Sequence, residues 1–309
     1  MAEKKTSIGG QALIEGVMMR GPRRTALAVR DPNGGIVIEE SDNKVSKRPA
    51  FTRKIFIRGI FNLFDSLKTG YACLMRSAEI AGLEGGEEDK EKTEKQNRLF
   101  TMVLMPLAVV LAVVLAVGLF MYLPTQLYKW ISMSLPALSG RRIIQSVFEG
   151  VFRIAIFVGY VAAISLMKDI RRTFQYHGAE HKTIFCYEAG LPLTVENVRL
   201  QRRFHPRCGT SFIILVLLVG IILGIFIPTN IPTILRTVIK LLLLPLTAGI
   251  GYELIKLAGR SDNAVTRVVS APGMWLQHLT TKEPDESMIE CAIAAMEKVI
   301  PDDGSDIIK

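Results

Sequence analysis

Cysteine and histidine are scarce in this sequence, four of each among 309 residues. The cysteines stand at positions 73, 186, 208 and 291, too scattered for a disulfide framework, which excludes the small stapled secreted scaffolds. An apolar stretch behind the first residues is also missing. Met1-Ala2-Glu3-Lys4-Lys5-Thr6-Ser7 leads into glycine and polar residues, so no cleavable signal peptide is expected. The glycines between 9 and 21 are not followed by Gly-Lys-Ser/Thr, which argues against a phosphate loop. The net charge of +9 is carried by basic residues beside apolar runs. It predicts topology and anionic lipid at a basic cytoplasmic face, and no nucleic-acid partner.

What the chain has in abundance is apolar sequence. A hydrophobic fraction of 49%, a mean hydropathy of +0.30 and several long apolar runs predict an integral membrane protein whose first partner is the lipid bilayer. The expected fold is predominantly α, a polytopic membrane protein with four transmembrane helices in a domain over 99–258. Leu99 to Leu123 carries no charge and is long enough to cross about 30 Å of hydrocarbon at about 1.5 Å per residue. The other spans are expected near 146–167, 212–228 and 237–258. Glu149 and Arg153 in the second are four apart and are expected to pair. Pro228-Thr229-Asn230-Ile231-Pro232 closes the third into an antiparallel turn, and Pro245, Gly249 and Gly251 interrupt the fourth.

The segment 168–211 carries eight Lys and Arg and 84–99 four, against three in 124–145 and two in 229–240. The positive-inside rule therefore predicts a multi-pass cell-membrane protein with both termini cytoplasmic. In the cytoplasmic N-terminal region, 1–98, the stretch from Gly9 to Pro22 reads as a structured loop. Thr25 to Arg30 and Ile36 to Glu40 flank Asp31-Pro32-Asn33-Gly34-Gly35 and predict a small β-hairpin. Apolar residues at three and four from Phe56 to Ala78 predict an amphipathic helix over 53–83, lying in the membrane interface or packed on the cytoplasmic domain. A charged linker follows. The cytoplasmic tail, 259–309, is expected to hold a helix over 283–300.

Three histidines and two cysteines fall between Arg171 and Phe212. On a helix, His177 and His181 are four apart and share a face, with Glu180 beside them, and His205-Pro206-Arg207-Cys208 adds a nitrogen and a sulfur in the loop 168–211. These four are the expected ligands of a divalent metal, zinc for preference. Glu180 is the expected catalytic base that activates a water. H-x-x-E-H resembles the inverzincin metallopeptidases over five residues. Four bound ligands would close the site as a structural staple, whereas three would leave a position open for catalysis. Glu253, a carboxylate at the edge of the fourth span, is the candidate further ligand or substrate contact, with Lys256 or Arg260 as the ordinary ion-pair alternative.

The combination GGQALIEGVMMRGP, YHGAEHKTIFCYEAG, FHPRCGTSF and PLTAGIGYE resembles the bacterial YqhQ-like membrane proteins over nearly the whole chain. The resemblance implies a metal-dependent enzyme of undefined substrate, with His177, Glu180, His181, His205, Cys208 and Glu253 matching the family pattern. Two functions are expected from the residues. One is a metal-dependent hydrolase acting on a peptide or lipid-linked substrate at the cytoplasmic membrane surface. The other is a non-catalytic membrane scaffold whose closed His/Cys zinc site shapes a surface for a protein partner. Transport, suggested by charges in the spans, is disfavoured by the lack of inverted repeats.

Overall fold

The computed structural model describes residues 5–43, 49, 52, 54–83, 104–260 and 263–308. Four strands, β1 (Gly9–Leu13), β2 (Gly16–Arg20), β3 (Arg24–Arg30) and β4 (Ile36–Asp42), form one antiparallel sheet in sequence order. The expected hairpin is its β3–β4 half. The stretch expected to be a loop is a second hairpin, β1–β2, turning at Ile14 and Glu15, where Glu15 takes a positive φ of 52°.

Strand alternation decides which layer each residue joins. Val17, Met19, Ala26 and Ala28 face one core with Tyr176, Ala179, Met288 and Ala292. Their neighbours Met18, Leu27 and Val29 face the other side, against Cys73, Leu74 and Ile80. The register Val17–Ala28, Met18–Leu27, Met19–Ala26 keeps each set on its own face. The sheet is thus a middle layer. On one side lies α1 (Ile57–Ile80), the amphipathic helix of the sequence, and on the other lie α4 (Lys168–Glu188) and α9 (Glu286–Glu297). Each fully buried Met, Leu or Val contributes roughly 1.5–3 kcal/mol. The chain ends are stitched together beside this core, Ser7 N donating to Asp306 O at 2.6 Å and Thr6 Oγ1 to Asp306 Oδ2 at 2.7 Å.

Three helices are long and apolar enough to cross a membrane: α2 (Met105–Ser134), α3 (Arg142–Ile164) and Thr233–Leu257 within α7 (Thr233–Arg260). The expectation of four spans needs correction at the third. Its helix, α6 (Gly209–Gly224), has 16 residues, about 24 Å of rise against about 30 Å of hydrocarbon. Two other expectations change in detail. The first apolar helix runs through Pro124 to Ser134 by way of a π-helical turn at Gly118–Tyr122, and Pro245 leaves α7 helical. The charged linker expected over 84–98 and the start of the first span lie outside the described residues.

The tail holds a helix that the sequence did not suggest, α8 (Ala264–Thr280), opened by an Asn263–Thr266 capping box. It lies so close to α6 that a Cβ on Gly273 would sit 2.4 Å from that of Ser211. Glu149 does not pair with Arg153 as expected. It binds Arg236 Nε at 3.1 Å and Lys240 Nζ at 2.6 Å, both from α7, and accepts from Gln145.

Candidate metal centre

The centre is assembled on α4 and the loop between α5 (Val195–Arg199) and α6. Gly178 in mid-helix has a purpose: a Cβ there would lie 2.1 Å from Lys282 O, so only glycine lets the segment after α8 cross the helix. Lys282 N donates to Phe174 O at 2.8 Å and fixes the crossing. This brings Thr280 over His177. The loop is held from the same side, because Gln277 on α8 accepts from His205 N at 2.7 Å and donates to His205 O at 2.8 Å.

His177 and His181 stand one helical turn apart with ring centroids 4.4 Å from each other. Their Nδ1 atoms face backbone carbonyls, Thr280 O at 2.8 Å and Arg203 O at 2.5 Å. A carbonyl only accepts, so each Nδ1 carries the proton, and in the neutral ring the Nε2 lone pair is left free. His177 Nε2 is 3.2 Å from Cys208 Sγ, at the N-terminus of α6, and Thr210 Oγ1 also reaches that sulfur at 3.3 Å. One ligand atom from each of His177, His181 and Cys208 lies within 4.8 Å of the others. Around a tetrahedral zinc such atoms lie roughly 3.3–3.6 Å apart, so modest closure completes a site.

Electrostatics follow this geometry. Burial alone would depress the His177 imidazole, but the Cys208 sulfur lifts it to about 9. Burial alone would raise the Cys208 thiol, yet His177 and His181 hold it well below its usual value. The group is therefore a thiolate held by the His177 imidazolium, and the Nε2 proton between them is what a metal ion would displace; nitrogen and sulfur of this kind form the donor set that zinc prefers.

Glu180 is buried, 5% exposed, on the same helix. Burial pushes its carboxyl up, against the pull of His181, His177 and the Gly10 amide that donates to it. A Cβ on Gly10 would lie 2.8 Å from Glu180 Cγ and 2.7 Å from Met18 O, so this glycine of β1 lets the sheet touch the carboxylate.

The remaining residues singled out by the sequence lie apart from this convergence. The His205 ring is 5.5 Å from that of His181, but its Nδ1 accepts from Arg207 N at 3.3 Å and its Nε2 faces Glu188 at 3.8 Å. Burial takes its pKa down to about 4, against the upward pull of Glu188, so the ring is neutral. Glu188 itself is bound by Arg207 and by Thr6 N. Glu253 binds Arg58 of α1 through both oxygens, Nε at 2.7 Å and Nη2 at 2.5 Å. Four contributors were missed in the sequence. The Thr280 and Arg203 carbonyls and Gln277 carried no signal at all; for Gly10 the glycine pair was the signal.

The chain belongs to the family described as "Protein of unknown function (DUF1385)", whose profile matches residues 55–302. The "Uncharacterized protein YqhQ" of Bacillus subtilis (strain 168) is 35% identical over 296 residues, which cover 94% of this chain and 92% of that protein. No solved structure matches. The family profile contains α4, Cys208, Gln277 and Thr280, whereas Gly10 precedes it.

Proposed function

We propose that this chain is a membrane-embedded zinc enzyme, a hydrolase acting on a peptide or lipid-linked substrate at the cytoplasmic face of the cell membrane. The three long apolar helices support the embedding, and the basic residues of 168–211 support an orientation with the centre and both termini inside. One observation carries the chemistry. Both histidines commit Nδ1 to carbonyls, which leaves each Nε2 for a metal, and one ligand atom from each histidine and the Cys208 sulfur lie within 4.8 Å of one another.

His177, His181 and Cys208 would hold the ion, and three protein ligands leave a fourth position for water or substrate. A zinc ion bound there supplies Lewis-acid polarisation of the scissile carbonyl or ester and lowers the pKa of water. Glu180 accepts the proton of the attacking water and returns it to the leaving group. Gly10 N positions that carboxylate, while the Thr280 and Arg203 carbonyls fix the tautomer and aim of the imidazoles. His205 and Arg207 restrain Glu188 and the loop rather than the reacting atoms.

The test is Glu180→Gln beside His181→Ala in a deletion strain and in purified protein. Retained metal with lost complementation in Glu180→Gln supports catalysis. A silent Glu180→Gln together with an unfolded His181→Ala would favour the scaffold instead.

The His177 Nε2–Cys208 Sγ contact at 3.2 Å favours a second reading, a cysteine nucleophile with His177 as base and Thr280 O as its orienting partner. Stoichiometric alkylation of Cys208 by iodoacetamide in the isolated protein, unaffected by added zinc, would select it.

A further inference from the structure

We infer a second ligand site, inside the span region, for an anionic amphiphile: an oxyanion headgroup on an alkyl chain. The inference rests on the membrane embedding proposed above and is independent of the metal. A cavity of about 170 Å³ lies between α2, α3, α6 and α7. Its walls are apolar, Phe157, Val216, Leu217 and Leu243 among them, and its charged side chains are Arg153 and Lys240. A cavity of that size takes roughly six carbons, so it holds part of a chain whose remainder lies in the bilayer.

Charge decides the headgroup. Glu149 is the only carboxylate that faces Arg236 and Lys240 among the described residues, and Arg153 adds a third cation. One negative charge against three cations leaves two positive charges in excess, in a region where unpaired charge is costly and marks a ligand path. Arg236 is satisfied by Glu149 and by the Ile227 and Pro228 carbonyls, and Lys240 by Glu149 and Thr125 Oγ1. Arg153 is not. Its Nε donates to Phe120 O at 2.8 Å, in the π-helical turn of α2, but its terminal amines have no acceptor among the described residues. An added Cβ on Gly220 would lie 3.4 Å from Arg153 Nη1, ordinary van der Waals contact, which places this amine beside Gly220 in the cavity wall.

Arg153 lies eleven residues from either end of α3, about 16 Å along the helix. In the spanning orientation proposed above that depth is far from bulk water, and a planar guanidinium suits the two oxygens of a carboxylate or phosphate. The alkyl chain attached to such a headgroup matches the apolar walls.

The full-length protein in neutral detergent is heated with oleate, lysophosphatidylglycerol, lysophosphatidylcholine, acetate or inorganic phosphate, and its unfolding midpoint is followed. Oleate or lysophosphatidylglycerol raises the midpoint with an apparent affinity at least about tenfold above that of lysophosphatidylcholine, and their ranking separates a carboxylate from a phosphate headgroup. Arg153→Gln and Leu243→Trp each weaken that response by about tenfold or more, with metal content unchanged. Leu243→Trp fills the cavity and leaves every charge in place, so it decides alone if Arg153→Gln does not fold. An equal response to lysophosphatidylcholine, an equal response to acetate or phosphate, or unchanged responses in the folded variants would overturn the proposal.

Discussion

The two buried polar clusters of this molecule have opposite deficits. Around His177, His181 and Cys208, nitrogen and sulfur donors of the kind that hold a metal converge; around Glu149, two cations share one carboxylate and a third, Arg153, stands beside them without pairing to it. Both lie among well-packed apolar residues, so burial alone does not separate structure from function. What separates them is whether each group's partners come from the chain. Glu149, Arg236 and Lys240 satisfy one another and tie α3 to α7, as a structural network does. His177 Nε2 and the Cys208 sulfur meet one another and Thr210, a set that suits a metal cation, whereas the Arg153 amines meet no acceptor among the described residues and suit an anion.

The sharpest way to break the comparison is to remove a group from each cluster. His181→Ala should abolish stoichiometric zinc, weakening affinity by about a thousandfold or more, as read by elemental analysis after dialysis. Glu149→Ala should leave metal content alone but take the carboxylate from Arg236 and Lys240, costing about 3–5 kcal/mol and lowering the unfolding midpoint and folded yield in detergent. If Glu149→Ala instead lost zinc, or His181→Ala kept it, the two clusters would not be independent. Gly178→Ala sharpens the first cluster: a methyl 2.1 Å from Lys282 O must push the Thr280 segment off α4, costing about 1–3 kcal/mol and loosening His177. Normal zinc affinity in that variant would show that the crossing does not support the centre. Glu253→Gln is expected to be the mildest. It frees Arg58 and the start of α1, with a small drop in midpoint and unchanged metal content; lost metal would bring Glu253 back as a ligand.

Legibility in the sequence follows the range of the interactions. H-x-x-E-H could be read because a helix brings positions 177 and 181 together by itself, and the β3–β4 hairpin because Pro32-Asn33-Gly34-Gly35 encodes its turn locally. The β1–β2 hairpin escaped because its glycines read as loop formers, whereas Gly10 admits Glu180 against the sheet and Gly16 lets β2 approach Ala28 and Val29 of β3. Helix α8 escaped because Pro272 and Gly273 interrupt its pattern, although a capping box begins it. Partner choice was the least legible. Glu149 prefers Arg236, 87 residues away, to Arg153 one turn on, and Glu253 finds Arg58 on α1. His205 looked equivalent to the other histidines until Glu188 and Arg207 were seen to occupy its nitrogens.

The central claim is that His177, His181 and Cys208 hold a metal that Glu180 uses. Its most direct test is the zinc content of full-length protein purified without chelator, for wild type, Cys208→Ser and Glu180→Gln. The account predicts about one zinc per chain in wild type and Glu180→Gln, and a large loss in Cys208→Ser. A metal-free wild type, or a Cys208→Ser protein with undiminished zinc, would contradict it.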